Sequence, residues 1–152
     1  TYEGAIRGTT MMSKTGIHAL RALAALAQMS NGTYAGAADL AKATGAPRNY
    51  LGKLLKTLSR EGLDESQKGR GGGFRLAKDS ARITLLDVME PAARVGRWTG
   101  CFMGHTTCSN NAPCALHDRW SRARDTYFQF LKETTVADLA TQFVPNSRPI
   151  DE

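Results

Sequence analysis

Between two short runs of strand character, Leu63 to Lys68 and Phe74 to Leu76, lies Gly-Arg-Gly-Gly-Gly at residues 69 to 73, with Arg70 as its only side chain. Such a run turns tightly and lets backbone approach a ligand closely. It has neither the spacing of a nucleotide-phosphate loop nor a helix after it. What precedes it decides its reading. Ala35 to Thr44 reads as a short alanine-rich helix with Leu40 facing inward. Gly45 stops that helix, because glycine accepts the positive φ of a helix end. Pro47 stands where a first helical residue needs no N–H partner. From there Leu51, Leu54, Leu55 and Leu58 form an apolar stripe that runs to Gly62. Two helices joined by a tight glycine-containing turn make a helix-turn-helix, and a glycine loop between two strands directly after it is the wing of a winged helix.

The rest of the chain extends this frame. Ser13 to Met29 is predicted as an amphipathic helix, capped by Ser13, with Ile17, Leu20, Leu23 and Ala27 at helical spacing. Thr84-Leu-Leu-Asp87 and Thr135-Val-Ala-Asp138 resemble capping boxes, with Asp in place of the usual Glu or Gln. They open a helix to about Ala93 and a short last helix. Gly96 to Pro113 is an irregular loop, of a length that is usually functional or disordered. From Cys114 to Lys132 a long helix carries Leu116, Trp120, Ala123, Tyr127 and Phe130, spaced by four, three, four and three. That is the seam of a helix packing on a partner helix, and large aromatics on it are costly to leave exposed.

The expected fold is therefore mainly α with a small β-wing: a winged helix-turn-helix domain plus a long dimerisation helix. Residues 1–11 read as a disordered leader foreign to the native chain. Residues 12–93 form the DNA-binding domain, 94–113 a cysteine-rich loop, 114–144 the dimerisation and terminal helices, and 145–152 a flexible tail.

Net charge is +6, and its distribution matters more than its size. From Pro47 to Arg82 nine Lys or Arg stand against four acids, so this segment alone carries +5. A concentrated basic block suits a polyanion, because neutralised phosphates release condensed counterions. On a recognition helix beginning at Pro47, the N-terminal residues face the major groove. Arg48 can read a guanine edge and Asn49 an adenine edge. Tyr50 is expected on phosphate or sugar, and Lys53 and Lys56 on phosphates. Arg70 at the wing tip suits a narrow minor groove, with Lys68 and Arg75 flanking it.

Cys101, Cys108 and Cys114 fall within fourteen residues, and there are no others. An odd number without a disulfide pattern argues for metal or redox chemistry. Cys114 and His117 are three apart on a helix, so both can point at one site. Thiolates and imidazole suit iron–sulfur clusters and zinc alike, although the close cysteine pairs usual for zinc are missing.

The motif order resembles the Rrf2 family of bacterial winged-helix regulators, which includes iron–sulfur regulators of the IscR and NsrR type. The resemblance rests on ALRAL at 19–23, YLGKLLKTLSREGL at 50–63, KGRGGGFRLAKDSARITLLDV at 68–88, the cysteine loop, and TVADL at 135–139. It implies a homodimer, joined by the long helix, on a double-stranded operator with two-fold symmetry. It also implies an iron–sulfur cluster held by Cys101, Cys108, Cys114 and His117. His117 matches a histidine ligand of a [2Fe–2S] member, which favours [2Fe–2S] over [4Fe–4S], with zinc as a minor alternative. Relatives holding [4Fe–4S] take a ligand from an acid on the partner's first helix. The matching residue here is Ile17, which cannot ligate; His18 and His105 could, and His18 is expected instead to pack where the family has an aromatic residue. At Gly52 a base-reading glutamate of the family is absent, so the operator sequence stays open.

The function so implied is a cytoplasmic DNA-binding transcription regulator that senses redox, iron–sulfur or nitric-oxide status. The alternative is a cofactor-free or zinc-binding winged-helix regulator controlled by a protein partner or by thiol oxidation. An electron-transfer protein would leave the winged helix and the basic block unexplained. No nucleophile–base motif marks an enzyme, and no apolar run reaches the ~18 residues of a membrane span.

Overall fold

The computed structural model describes residues 13–29, 32–95, 102, 115–143 and 145. Three helices come first: α1 (Lys14–Ala27), α2 (Ala37–Thr44) and α3 (Arg48–Arg60). A hairpin of β1 (Asp64–Gln67) and β2 (Gly73–Leu76) follows, then a 3₁₀ turn at Ser80–Arg82 and α4 (Leu85–Ala93). The long helix α5 (His117–Glu133) and the short α6 (Val136–Ala140) complete the described chain. This is the mainly helical winged-helix architecture expected. α5 begins at His117, and Cys114 lies outside the described residues, as do Cys101, Cys108 and His105.

Ser13 caps α1 as expected, its hydroxyl accepting from the Gly16 N–H at 3.1 Å. The helix itself departs from the predicted single apolar stripe. Ala19, Ala22, Ala24, Ala25 and Leu26 are buried along with Leu20 and Leu23, whereas Ile17 and Ala27 are only half-buried. α1 is the central helix, touched by α2, α3, α4 and α6. Its alanines have no bulk to hold neighbours away, so several helices approach it at once.

α2 ends at Gly45 with φ 74°, the left-handed conformation that glycine takes without penalty. α3 then turns Leu51, Leu54, Leu55 and Leu58 into the core. Both capping boxes are formed. The Thr84 hydroxyl accepts from the Asp87 N–H at 3.1 Å, and the Asp87 carboxylate accepts from the Thr84 N–H at 3.0 Å. Thr135 and Asp138 repeat the arrangement at 3.2 and 2.9 Å. The two capped ends also lie against each other: the Leu85 N–H donates to the Thr134 carbonyl at 2.9 Å, and the Val136 N–H to the Ile83 carbonyl at 2.8 Å. That junction ties α4 to the end of α5.

The wing is an antiparallel hairpin in which Asp64 pairs with Leu76 and Gln67 with Gly73. A third segment joins it. Ala35 and Phe74 exchange two backbone hydrogen bonds, at 2.7 and 2.8 Å, so the stretch before α2 is pinned to β2. This pairing makes Gly73 obligatory. Its φ is 141°, and a Cβ there would lie 2.1 Å from the Ala35 carbonyl oxygen.

Gly73→Ala is therefore expected to cost about 2 kcal/mol or more, through strain and loss of the Ala35 pairing. Thermal unfolding checks it: a melting temperature equal to the parent's would mean that the wing is not anchored in this way.

Candidate nucleic-acid interface

Burial of the leucine face of α3 fixes what the helix shows outside. Leu51, Leu55 and Leu58 are fully enclosed, so Arg48, Asn49, Lys53 and Lys56 are left exposed on the opposite side. The wing folds back beside them. An open groove runs between α3 and the hairpin, with Arg48, Asn49, Lys53 and Lys56 on one wall and Gln67 and Lys68 on the other. Among the described residues no carboxylate lines it. Arg70 is exposed at the turn of the wing, two residues beyond Lys68. Six of the eight residues predicted to meet DNA are thus gathered on the helix face, the groove wall and the wing tip. Gly52 lies on the groove as well, and a Cβ built there meets nothing within 4 Å, so a side chain would enter open space.

The other two residues point elsewhere. Tyr50 turns inward: its hydroxyl donates to Thr15 Oγ1 at 3.0 Å, and its ring meets His18 edge-on at 5.6 Å. His18 thus packs as an aromatic, with its pKa lowered first by burial and then by Arg21 and Lys14. Arg75 sits opposite Glu65 in the hairpin register and is paired with that carboxylate. Its guanidinium also lies 4.5 Å from the Tyr34 ring centroid. Neither Glu65 nor Arg75 lines the groove, whose hairpin wall is formed by Ser66, Gln67, Lys68, Gly73 and Phe74. Gln67 and Ser66 are groove residues that the sequence reading missed. Neither is charged, and the strand that carries them is only four residues long, so neither the charge count nor a period singled them out.

A buried carboxyl stands where α3 meets the hairpin. Asp64, 2% exposed, accepts a hydrogen bond of 2.8 Å from the Ser59 hydroxyl and so joins the last turn of α3 to the start of β1. Burial pushes its pKa up to about 6; the Ser59 hydroxyl and the residue's own backbone N–H oppose the rise.

On α5, Leu131 is fully enclosed and His117 is 8% exposed, so these face the body. The predicted seam lies at the edge of that face. Leu116, Ala123 and Phe130 are exposed, whereas Trp120 and Tyr127 are half-buried. Tyr127 packs on its own core with its ring 6.0 Å from Phe128, and burial raises its pKa. Phe102, the chain neighbour of Cys101, lies against Trp120 with ring centroids 5.4 Å apart. No helix among the described residues is long and apolar enough to cross a membrane.

Residues 12–142 match the model of the Rrf2 family, described as an iron-dependent transcriptional regulator. A candidate HTH-type transcriptional regulator of Aquifex aeolicus is 34% identical over 131 residues, covering 85% of this chain and 90% of that one. Another from Mycobacterium tuberculosis is 35% identical over 141 residues, covering 88% and 83%. Among solved structures, CymR, the global cysteine regulator of B. subtilis, superposes with a TM-score of 0.72 at 23% identity, over 88% of this chain and 98% of that one. T. potens IscR does so with 0.69 at 20% identity, over 93% of each. The chain belongs to the Rrf2 family and is a DNA-binding transcriptional regulator, not an enzyme.

Lys53→Ala should flatten the slope of log DNA affinity against log salt by about one unit, as one lost phosphate contact does. Arg75→Ala, whose cation is spent on Glu65, should leave it unchanged; an equal flattening by both would put Arg75 on the DNA. For Asp64 the raised pKa means that the folded state binds more protons than the unfolded state between about pH 4 and pH 6. Its contribution is therefore neutral at low pH, turns unfavourable as pH rises through that window, and stays so above it. Asp64→Asn should melt above the parent at pH 7.5, and the gap should close by pH 4. A gap independent of pH would contradict the buried-carboxyl account.

Proposed function

We propose that this regulator senses redox, iron–sulfur or nitric-oxide status in the cytoplasm through a cluster held by Cys101, Cys108, Cys114 and His117. Its state then sets how tightly a homodimer holds a two-fold DNA operator. The observation that carries the reading is the enclosed imidazole of His117 on the first turn of α5, with Phe102, next to Cys101, packed one turn away on Trp120. The cysteines themselves lie outside the described residues. Three thiolates and an imidazole suit iron as well as zinc, and the family description speaks for iron. A histidine among the ligands is the reason to favour [2Fe–2S] over [4Fe–4S]. When bound, an iron–sulfur cluster supplies a redox couple tuned by its ligands and its exposure to solvent.

As a cluster ligand His117 would link the cysteines to α5, and α5 packs on α4, which in turn packs on α1 and α3. Exposed Leu116, Ala123 and Phe130 offer an apolar edge for the same helix of a second copy. A cluster bound beside α5 would alter the spacing of the two α3 helices. DNA affinity responds by as much as the ligand-binding free energy differs between those arrangements, and no more.

Protein purified without oxygen should be red-brown, with iron and acid-labile sulfide in equal amounts. Each cysteine-to-alanine variant should lose the colour, His117→Ala should retain it poorly, and His18→Ala should match the parent. Colourless protein containing zinc, or no metal, would replace this reading with the zinc-binding or thiol-based one. Phe130 is 49% exposed, so Phe130→Glu should break the dimer without disturbing its own core. Light scattering from a monomeric parent at micromolar concentration would contradict the homodimer.

A further inference from the structure

Thr15 and Gly16 are consecutive residues in the first turn of α1, and each meets a different neighbour. Thr15 Oγ1 accepts the hydrogen bond from the Tyr50 hydroxyl. Gly16 lies directly against α4: a Cβ there would lie 2.6 Å from Met89 Cε and 2.7 Å from its sulfur. One turn of α1 is therefore seated between the recognition helix and α4, the helix that packs on α5. His18 closes the joint from the side, its ring edge-on to Tyr50. Tyr50 stands in the first turn of α3, directly after Arg48 and Asn49. Whatever holds Tyr50 fixes the azimuth and tilt of the turn that offers those two side chains.

We propose that Tyr50 and Thr15 are positioning residues for DNA reading: their hydrogen bond, braced by His18, fixes the base-facing turn of α3 against the first turn of α1. This rests on the assignment of α3 as the reading helix. It replaces the sequence-based expectation that Tyr50 touches phosphate or sugar. A turn held in one orientation gives up no ordering entropy on the operator. A loosened turn is competent only part of the time, and the apparent affinity for the correct sequence falls by that fraction. Sequence-independent binding runs through Lys53, Lys56 and Lys68, which the bond does not touch, and is spared.

The test uses the full-length protein as purified and two duplexes. One is the sequence that the parent enriches most from a randomised library, and the other is a scramble of it. Tyr50→Phe and Thr15→Val should each lower the ratio of affinities for the two by between about twofold and about tenfold, the worth of one hydrogen bond. The double variant should lose no more than either single one. Affinity for the scramble and the salt slope should stay at the parent's values, and Thr15→Ser, which keeps the acceptor, should restore the ratio. His18→Phe should keep it and His18→Ala should lower it. If Tyr50→Phe weakens both duplexes alike while Thr15→Val changes neither, Tyr50 is a DNA contact and the proposal fails. Arg48→Ala separates that failure from a deeper one. Should Arg48→Ala keep the parent's ratio, α3 is not the reading helix, and the proposal falls with that assignment.

Discussion

The leucine face of α3, buried in the core that it shares with α1, α2 and α4, is the constraint from which the rest of the interface follows. Four leucines at helical spacing give the helix one rotational setting, since any other would expose large apolar surface at roughly 25 cal/mol per Å². That setting sends Arg48, Asn49, Lys53 and Lys56 to the outside together. The reading surface is thus a by-product of core packing, and its chemistry can vary without endangering the fold. Gly52 makes the point: it stands on the groove with open space above it, so the site can gain or lose a base-reading side chain there at little structural cost.

The wing depends on a second constraint, the close approach of two backbones at Gly73 and Ala35. Because those segments exchange two hydrogen bonds, the hairpin is held at both ends. Asp64 and Ser59 tie its start to α3, and Ala35 ties its far strand to the entry of α2. A groove walled by α3 and a wing so fixed keeps Lys68 at a set distance from Lys53 and Lys56. Binding then aligns cations that are already in place, which spares the ordering cost that mobile side chains on a loose loop would add.

Much of this was legible in the sequence because it is local. The leucine spacing of α3, the stop at Gly45 and the two Thr-x-x-Asp boxes each act within one or two turns of chain, and each is realised as read. What stayed hidden depends on contacts between segments distant in sequence. Alanine gives a weak periodic signal, so α1 reads as a one-sided helix although its small side chains make it the centre. The Ala35–Phe74 bridge leaves no pattern, being a single residue pair. Arg75 belongs to the basic block by composition, and only the strand register, which sets it opposite Glu65, removes it from the groove. Tyr50 sits beside Arg48 and Asn49 in sequence, yet α1 claims its hydroxyl. The cysteine loop was legible as chemistry, from residue type and spacing, and as geometry only through its neighbours Phe102 and His117.

Sequence reading by this protein requires the outward face of α3 to enter a major groove. Methylation interference on the duplex enriched by the protein separates the two grooves directly, because guanine N7 lies in the major groove and adenine N3 in the minor. The account predicts guanine N7 positions whose methylation abolishes binding, in two groups about one helical turn apart. They should include the guanine read by Arg48, and Arg48→Ala should lose sensitivity at that position alone. Interference confined to adenine N3, with every guanine N7 tolerated, would contradict it and leave the wing as the only element that reads the sequence.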